Sequence, residues 1–193
     1  MSQLVRTLTD LGLSPELAPR LQAFAELFAK WNRSINLSAA RSPADIEEHL
    51  VDSLHVVPYL SPASRVVDVG SGGGLPVVVS AICAPSIQFT ALEPVHKKHA
   101  FLRTAARELA LVNLEAFATR VEDHPTRDYD AATSRATFDL PVWIETGLSL
   151  VRPGGRVLGF EAVRRDDLPP GAERHPYSLA GKSRAIIVVT RPS

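Results

Sequence analysis

The feature that most constrains this chain is a glycine-rich stretch, Gly70-Ser71-Gly72-Gly73-Gly74, which directly follows the β-branched run Val66-Val67-Asp68-Val69. An apolar run of this kind is typical of a strand buried on both faces of a parallel sheet. Glycines after such a strand let backbone N–H groups approach a ligand where any Cβ would collide. The stretch predicts an α/β fold with a ligand site at this strand end. The loop alone is weak evidence, because many similar loops are ordinary strand-to-helix turns.

Two acidic residues indicate which ligand the loop would bind. Asp68 lies at the end of the first predicted strand, and Glu93 closes the next apolar run, residues 87–92. A carboxylate at Glu93 can accept hydrogen bonds from both hydroxyls of a ribose. Asp68 would repel a pyrophosphate but suits an ammonium group, and Leu75 stands where dinucleotide-binding loops have a third glycine. These residues favour S-adenosylmethionine, which has a cationic amino acid and no phosphate.

The hydrophobic pattern changes near residue 60. Before it, apolar residues at helical spacing predict a helix over residues 15–32, and Ser42-Pro43-Ala44-Asp45 predicts the start of a second helix that runs to about residue 55. After it, β-rich runs alternate with helical segments, which predicts a mostly parallel seven-stranded sheet with helices on both faces. We therefore expect an N-terminal helical extension, residues 1–60, and a cofactor-binding domain, residues 61–193. The predicted strands are 65–69, 87–92, 114–119, 131–134 and 156–160, with a hairpin of 173–179 and 184–190 and helices at 95–111 and 140–151.

Charge and composition exclude little. The chain has 21 basic and 21 acidic residues, so its net charge does not argue for nucleic acid. Lys97, Lys98 and Arg103 form a basic cluster that is either a solvated helix face or a contact surface for phosphates. No run approaches the roughly 20 apolar residues of a membrane span, and the single Cys83 allows no internal disulfide. We expect a cytoplasmic, monomeric protein that does not contact membranes.

Several motifs, taken in order, resemble one protein family. They are Trp31-Asn32, Asn36-Leu37, His49 with Asp52-Ser53-Leu54, the glycine loop through Leu75-Pro76, Glu93 with Lys97-Lys98 and Phe101-Leu102-Arg103, and Ser134-Arg135-Ala136. Each motif is weak alone, but the ordered set covers most of the chain. It resembles the bacterial small-subunit rRNA guanine-N7 methyltransferase G family, also called glucose-inhibited division protein B, within the class I S-adenosylmethionine-dependent methyltransferases.

The resemblance implies a Rossmann-like class I methyltransferase fold, S-adenosylmethionine as the cofactor, and 16S rRNA or the small ribosomal subunit as the partner. It also implies that the glycine loop, the backbone after the third strand and one arginine line the cofactor site. Together with the acids above, the expected cofactor residues are Asp68, Gly70, Gly72, Leu75, Glu93, Val121, Glu122 and Arg135. Arg135 is also the one candidate for a role at the reacting centre, and no metal is expected. Lys97, Lys98 and Arg103 are the expected RNA contacts.

Three questions stay open at this point. His49 and Asp52 lie three residues apart on one helix face, where they suit a structural contact, the support of a cofactor lid, or catalysis. Glu161 stands where many family members have the lysine of a Leu-Lys-Gly motif, so it reverses the charge near the expected target site. This reversal and the zero net charge are the best evidence for one alternative, a small-molecule or protein methyltransferase. A non-catalytic regulator that binds the cofactor or adenosine is the other alternative.

Overall fold

The computed structural model describes residues 2–62 and 64–192, which form a seven-stranded sheet with helices on both faces. The helices are α1 (Gln3–Asp10), α2 (Ala18–Ile35), α3 (Pro43–Leu54), α4 (Val77–Cys83), α5 (His96–Glu108) and α6 (Leu140–Leu150). The strands are β1 (Arg65–Val69), β2 (Gln88–Leu92), β3 (Leu114–Phe117), β4 (Tyr129–Ser134), β5 (Val151–Glu161), β6 (Glu173–Leu179) and β7 (Lys182–Thr190). The predicted strand-and-helix alternation is confirmed.

The sheet has the order β3-β2-β1-β4-β5-β7-β6. Strands β1 to β5 pair in parallel, whereas β7 runs antiparallel between β5 and β6. The predicted fold class and its final antiparallel hairpin are therefore confirmed. The strand order reverses between β1 and β4, and ligands of such sheets bind beyond the strand ends at this reversal. The glycine loop follows β1 and lies at that position.

Alternate residues of the central strands face two separate cores. Val66 and Phe89 pack into a core with helices α1 to α5, while Val67 and Leu92 pack into a second core with α6. In the second core the buried Trp143 donates a hydrogen bond from Nε1 to the Leu158 carbonyl oxygen at 2.9 Å. Because both faces are covered, the strands are nearly continuous in apolar residues, as the sequence indicates.

The helices before residue 60 share the first core with α4 and α5. Phe24 and Phe28 of α2 lie 6.4 and 6.1 Å from Phe101 of α5, measured between ring centroids, and Trp31 lies 5.6 Å from the same ring. Trp31 is therefore a packing residue at the contact between α2 and α5. The division of the chain at residue 60 into an extension and a domain stays a prediction.

Most predicted boundaries differ from the structure by a few residues, and helix α1 was not predicted. Two of the differences have local reasons. Helix α2, predicted over residues 15–32, follows a 3₁₀ turn at Pro15–Leu17 and ends at Ile35. Its C-cap Asn36 takes the left-handed conformation with φ of 53°. Strand β5 begins at Val151, directly after α6, because Val151 pairs with Tyr129 before a register shift. No helix within the described ranges is long and apolar enough to cross a membrane.

Candidate functional site

The glycine loop is shaped by backbone conformation and by packing. Gly70 and Gly72 have φ of +69° and +51°, a backbone region that residues other than glycine rarely adopt. The Gly70 and Ser71 N–H groups both donate to the Leu92 carbonyl oxygen, at 2.9 and 3.1 Å, which ties the loop to the end of β2. A Cβ at Gly73 would lie 2.5 Å from the Phe28 ring of α2. The N-terminal helices therefore pack directly on the loop.

Asp68 lies beneath the loop with one oxygen unpaired. The residue is 1% exposed, and its Oδ1 accepts a hydrogen bond from the Thr133 hydroxyl at 2.7 Å. Its Oδ2 is buried and has no hydrogen-bond partner among the described residues. Burial disfavours the charged form and raises the pKa of this carboxyl to about 6. A buried, unpaired carboxylate oxygen costs stability, and a cationic group beside it would offset that cost.

Glu93 fixes the loop from the neighbouring strand end. Its Oε2 accepts the Gly72 N–H and its Oε1 accepts the Val95 N–H, each at 2.8 Å. The carboxylate is buried, and each oxygen has a further lone pair. Glu93 thus couples the ends of β1 and β2, whatever ligand it also contacts.

Two cavities meet at Gly70. We call the first, of about 480 Å³, the central cavity, and the second, of about 270 Å³, the side cavity. Thr137 borders both; its side chain packs against Gly70, and its hydroxyl donates to the Gly70 carbonyl oxygen at 3.3 Å. The central cavity is lined by Leu37–Ala39, Glu48, His49, Asp52, Gly70–Gly73, Leu75, Lys98, Arg135–Thr137, Phe160, Ala162, Leu179 and Arg184. The side cavity is lined by Val69, Gly70, Leu92, Pro94, Thr119–Glu122, Thr137 and Phe138.

The cavities bring together most of the residues predicted from the sequence. The central cavity contains Gly70, Gly72, Leu75, Lys98 and Arg135, and the side cavity contains Gly70, Val121 and Glu122. Asp68 and Glu93 lie buried behind the loop and line neither cavity. Their roles in binding stay predictions.

The three predicted RNA contacts do not form one surface. Lys97 and Lys98 are successive helical residues and so point about 100° apart around α5. Lys98 lines the central cavity, whereas Lys97 and Arg103 are exposed and line neither cavity.

Arg135 is held by Asp52, whose role the sequence did not decide. Its Nη1 donates to Asp52 Oδ2 at 3.0 Å, and the Tyr177 hydroxyl donates to Asp52 Oδ1 at 2.8 Å. Asp52 and His49 are not joined by a hydrogen bond; His49 lines the central cavity instead. Burial, and then the nearby charge of Arg135, lower the pKa of His49. Tyr177 was missed by the sequence analysis, because no local pattern connects it with a residue 125 positions away.

Glu161 is paired within the protein beside the central cavity. Its side chain is buried and pairs with Arg174, whose Nε and Nη2 donate at 2.8 and 2.9 Å, while the Arg165 N–H donates at 2.9 Å. Burial opposes the charged form, but these hydrogen bonds outweigh it and lower the pKa. The neighbouring Phe160 and Ala162 line the central cavity, and Glu161 points to the other side of the strand. The charge of Glu161 thus lies beside the central cavity but is paired with Arg174 and does not line the cavity.

Comparison with known proteins identifies the family. The model of the family described as rRNA small subunit methyltransferase G matches residues 18–176. The chain belongs to this family. A ribosomal RNA small subunit methyltransferase G from Azoarcus sp. is 40% identical over 183 residues, covering 89% of this chain and 86% of that protein. Another from Anaeromyxobacter sp. is 41% identical over 160 residues, covering 79% of this chain and 74% of its own length.

Solved structures show that the chain shares its fold with a wider group of proteins. The structure of the S-adenosylmethionine-dependent methyltransferase SibL aligns with a TM-score of 0.62 at 20% sequence identity. The alignment covers 78% of this chain and 57% of the SibL chain. The structure of a putative O-methyltransferase from Klebsiella pneumoniae aligns with a TM-score of 0.59 at 14% sequence identity. The alignment covers 88% of this chain and 90% of the Klebsiella chain. The chain therefore has the fold of S-adenosylmethionine-dependent methyltransferases.

Proposed function

We propose that this chain transfers a methyl group from S-adenosylmethionine to N7 of a guanine in 16S rRNA, with the small ribosomal subunit or its free RNA as the partner. The observation that carries the proposal is the family match over residues 18–176. Names of relatives that are about 40% identical support rRNA as the substrate. A monomer in the cytoplasm fits this substrate and is part of the proposal.

The residues around the glycine loop fit this cofactor. The unpaired oxygen of Asp68 suits an ammonium group, and the glycines of the loop present bare backbone to the central cavity. We assign Gly70, Gly72 and Leu75 to the wall that holds the amino-acid part, and Glu93 to the ribose. Val121 and Glu122 would contact the adenine through backbone groups in the side cavity.

Methyl transfer to guanine N7 depends more on alignment of the base with the methyl group than on proton transfer. When bound, the cofactor supplies a methyl group on a sulfonium ion. Guanine N7 attacks with a lone pair and has no proton to lose, so the chain needs to orient the base and exclude water. Arg135 and the apolar Phe160 wall of the central cavity suit those two tasks, respectively.

The RNA would reach the site past basic side chains. We assign phosphate contacts to Lys98 at the cavity and to Lys97 and Arg103 on the outer surface of α5. Such contacts fix the position of an RNA without reading its sequence. The alternative of a small-molecule or protein substrate loses support, because the charge of Glu161 is paired with Arg174 and does not line the cavity.

The decisive experiment is methyl transfer with labelled S-adenosylmethionine to small ribosomal subunits, free 16S rRNA and total small molecules in parallel. The labelled RNA is then cleaved at 7-methylguanosine. We expect one cleavage position in 16S rRNA. Labelling only of small molecules or proteins would move the substrate to another class, and cofactor binding without any transfer would favour a regulator.

A further inference from the structure

Asp52 joins three distant parts of the chain at the wall of the central cavity. It lies on α3, and its two carboxylate oxygens take different partners: Oδ2 accepts from Arg135, just after β4, and Oδ1 accepts from Tyr177 of β6. The side chain of Asp52 is 6% exposed and that of Arg135 is 14% exposed. The pair is therefore nearly removed from water, where removing one partner has a large effect.

Tyr177 restrains the carboxylate in turn. Its ring stacks on His55 with centroids 3.8 Å apart and an interplanar angle of 14°. The ring is fixed on one side while its hydroxyl donates to Asp52. A carboxylate with both oxygens committed to fixed donors has one orientation, and such networks are stronger than their separate pairs.

Arg135 has more donors than this network uses. A guanidinium has five N–H groups in a rigid plane, and the network takes one of them, on Nη1. Arg135 also lines the central cavity beside Gly70 and Ser71. Its remaining N–H groups are available for an oxygen of a ligand in that cavity.

We propose that Asp52 is a positioning residue for methyl transfer: it holds the Arg135 guanidinium against the central cavity, with Tyr177 locking the carboxylate. The acceptor for Arg135 is an oxygen, either the carboxylate of the cofactor or O6 of the guanine, next to the reacting N7. Arginine commonly donates to guanine O6. This inference rests on the proposed function.

The test is a double-mutant cycle in the full-length protein. Wild type, Asp52→Asn, Arg135→Ala and the double variant are assayed for kcat and KM with 16S rRNA, and for affinity toward S-adenosylhomocysteine by calorimetry. We expect Asp52→Asn to lower kcat/KM about thirtyfold and to have little further effect once Arg135 is alanine, because contacting residues are not additive. Asp128→Asn, which removes an exposed pair with Arg65, is the control and should match wild type.

The same measurements distinguish the two oxygen acceptors. A weaker cofactor affinity with an unchanged KM for RNA assigns Arg135 to the cofactor carboxylate. A lower kcat with unchanged cofactor affinity assigns it to the guanine. Equal fractional losses from Asp52→Asn in the wild-type and Arg135→Ala backgrounds would overturn the proposal, because Asp52 would then act independently of Arg135.

Tyr177→Phe keeps the proposal testable if Asp52→Asn does not fold. It removes the hydroxyl while retaining the ring that stacks on His55, and we expect a three- to tenfold loss that disappears in the Arg135→Ala background. A loss of equal size in both backgrounds, or no loss at all, would overturn the proposal. If wild type methylates no RNA, the proposed function fails instead, and the cofactor-affinity cycle alone tests the role of Asp52.

Discussion

Asp68 and Glu161 are both buried acids near the carboxyl ends of sheet strands, yet their surroundings are opposite. Glu161 accepts hydrogen bonds on both oxygens, two of them from Arg174. Asp68 has one protein partner and one oxygen without any. Consequently the pKa of Glu161 is lowered and that of Asp68 is raised to about 6. A paired buried charge is costly to deprive of its partner, whereas an unpaired one costs stability in the folded protein itself.

The largest expected effect comes from giving Glu161 the lysine found in many family members. Glu161→Lys would leave Arg174 without its counter-charge and add a like charge, so we expect the free energy of unfolding to fall by about 3 kcal/mol. Glu161→Gln, the matched control, should lose about 1 kcal/mol because it retains a hydrogen-bond acceptor. Urea denaturation measures both. A stable lysine variant that binds rRNA more tightly would break the comparison, because Glu161 would then face the RNA.

The second effect is on cofactor binding. We expect Asp68→Ala to weaken S-adenosylmethionine binding at least a hundredfold, because a buried charge pair would be lost. Calorimetry at pH 7 measures the affinity, with Glu161→Gln as the variant that should leave it unchanged. An affinity equal to that of wild type would remove Asp68 from the cofactor site.

The two acids should also give opposite dependences of stability on pH. Asp68 has a raised pKa when folded, so the folded state binds its proton more tightly, and its contribution to stability falls as pH rises from about 4 to about 6. Glu161 has a lowered pKa, so its contribution is present above pH 4.5 and is lost as pH falls below that value. Denaturation between pH 3 and 7 should show the first change disappear in Asp68→Asn and the second in Glu161→Gln. A decline between pH 4 and 6 that persists in Asp68→Asn would assign it to another group.

The smallest expected effect is on RNA binding, and it compares Lys97 with Lys98. Lys98 lines the central cavity and Lys97 does not. If each contacts one phosphate of single-stranded RNA, either alanine variant should reduce the slope of log affinity against log salt by about 0.7. Only Lys98→Ala should also lower kcat. Equal kinetic effects of the two substitutions, measured at several salt concentrations, would contradict the distinction that the structure makes between them.

The sequence predicts local features of this molecule well and long-range ones poorly. The β-branched run marks β1 at its true boundaries, residues 65–69, because burial on both faces leaves little choice of residue. Asp68 is predicted at the site because it is adjacent to the glycines. The contact of Asp52 with Tyr177 is not predictable, because it depends on how the last hairpin packs on α3. The pairing of Glu161 with Arg174 is likewise not predictable, because it joins β5 to β6 across a separation of 13 residues.

The contact between Thr137 and Gly70 also has a consequence for how the site is filled. The side chain of Thr137 lines both the central and the side cavity and packs against Gly70, which they share. The proposed cofactor contacts Arg135 and Val121 line different cavities, so a single molecule that reaches both passes the Thr137 side chain. Any displacement of Thr137 on binding would use part of the binding free energy, because its hydrogen bond to Gly70 would be lost.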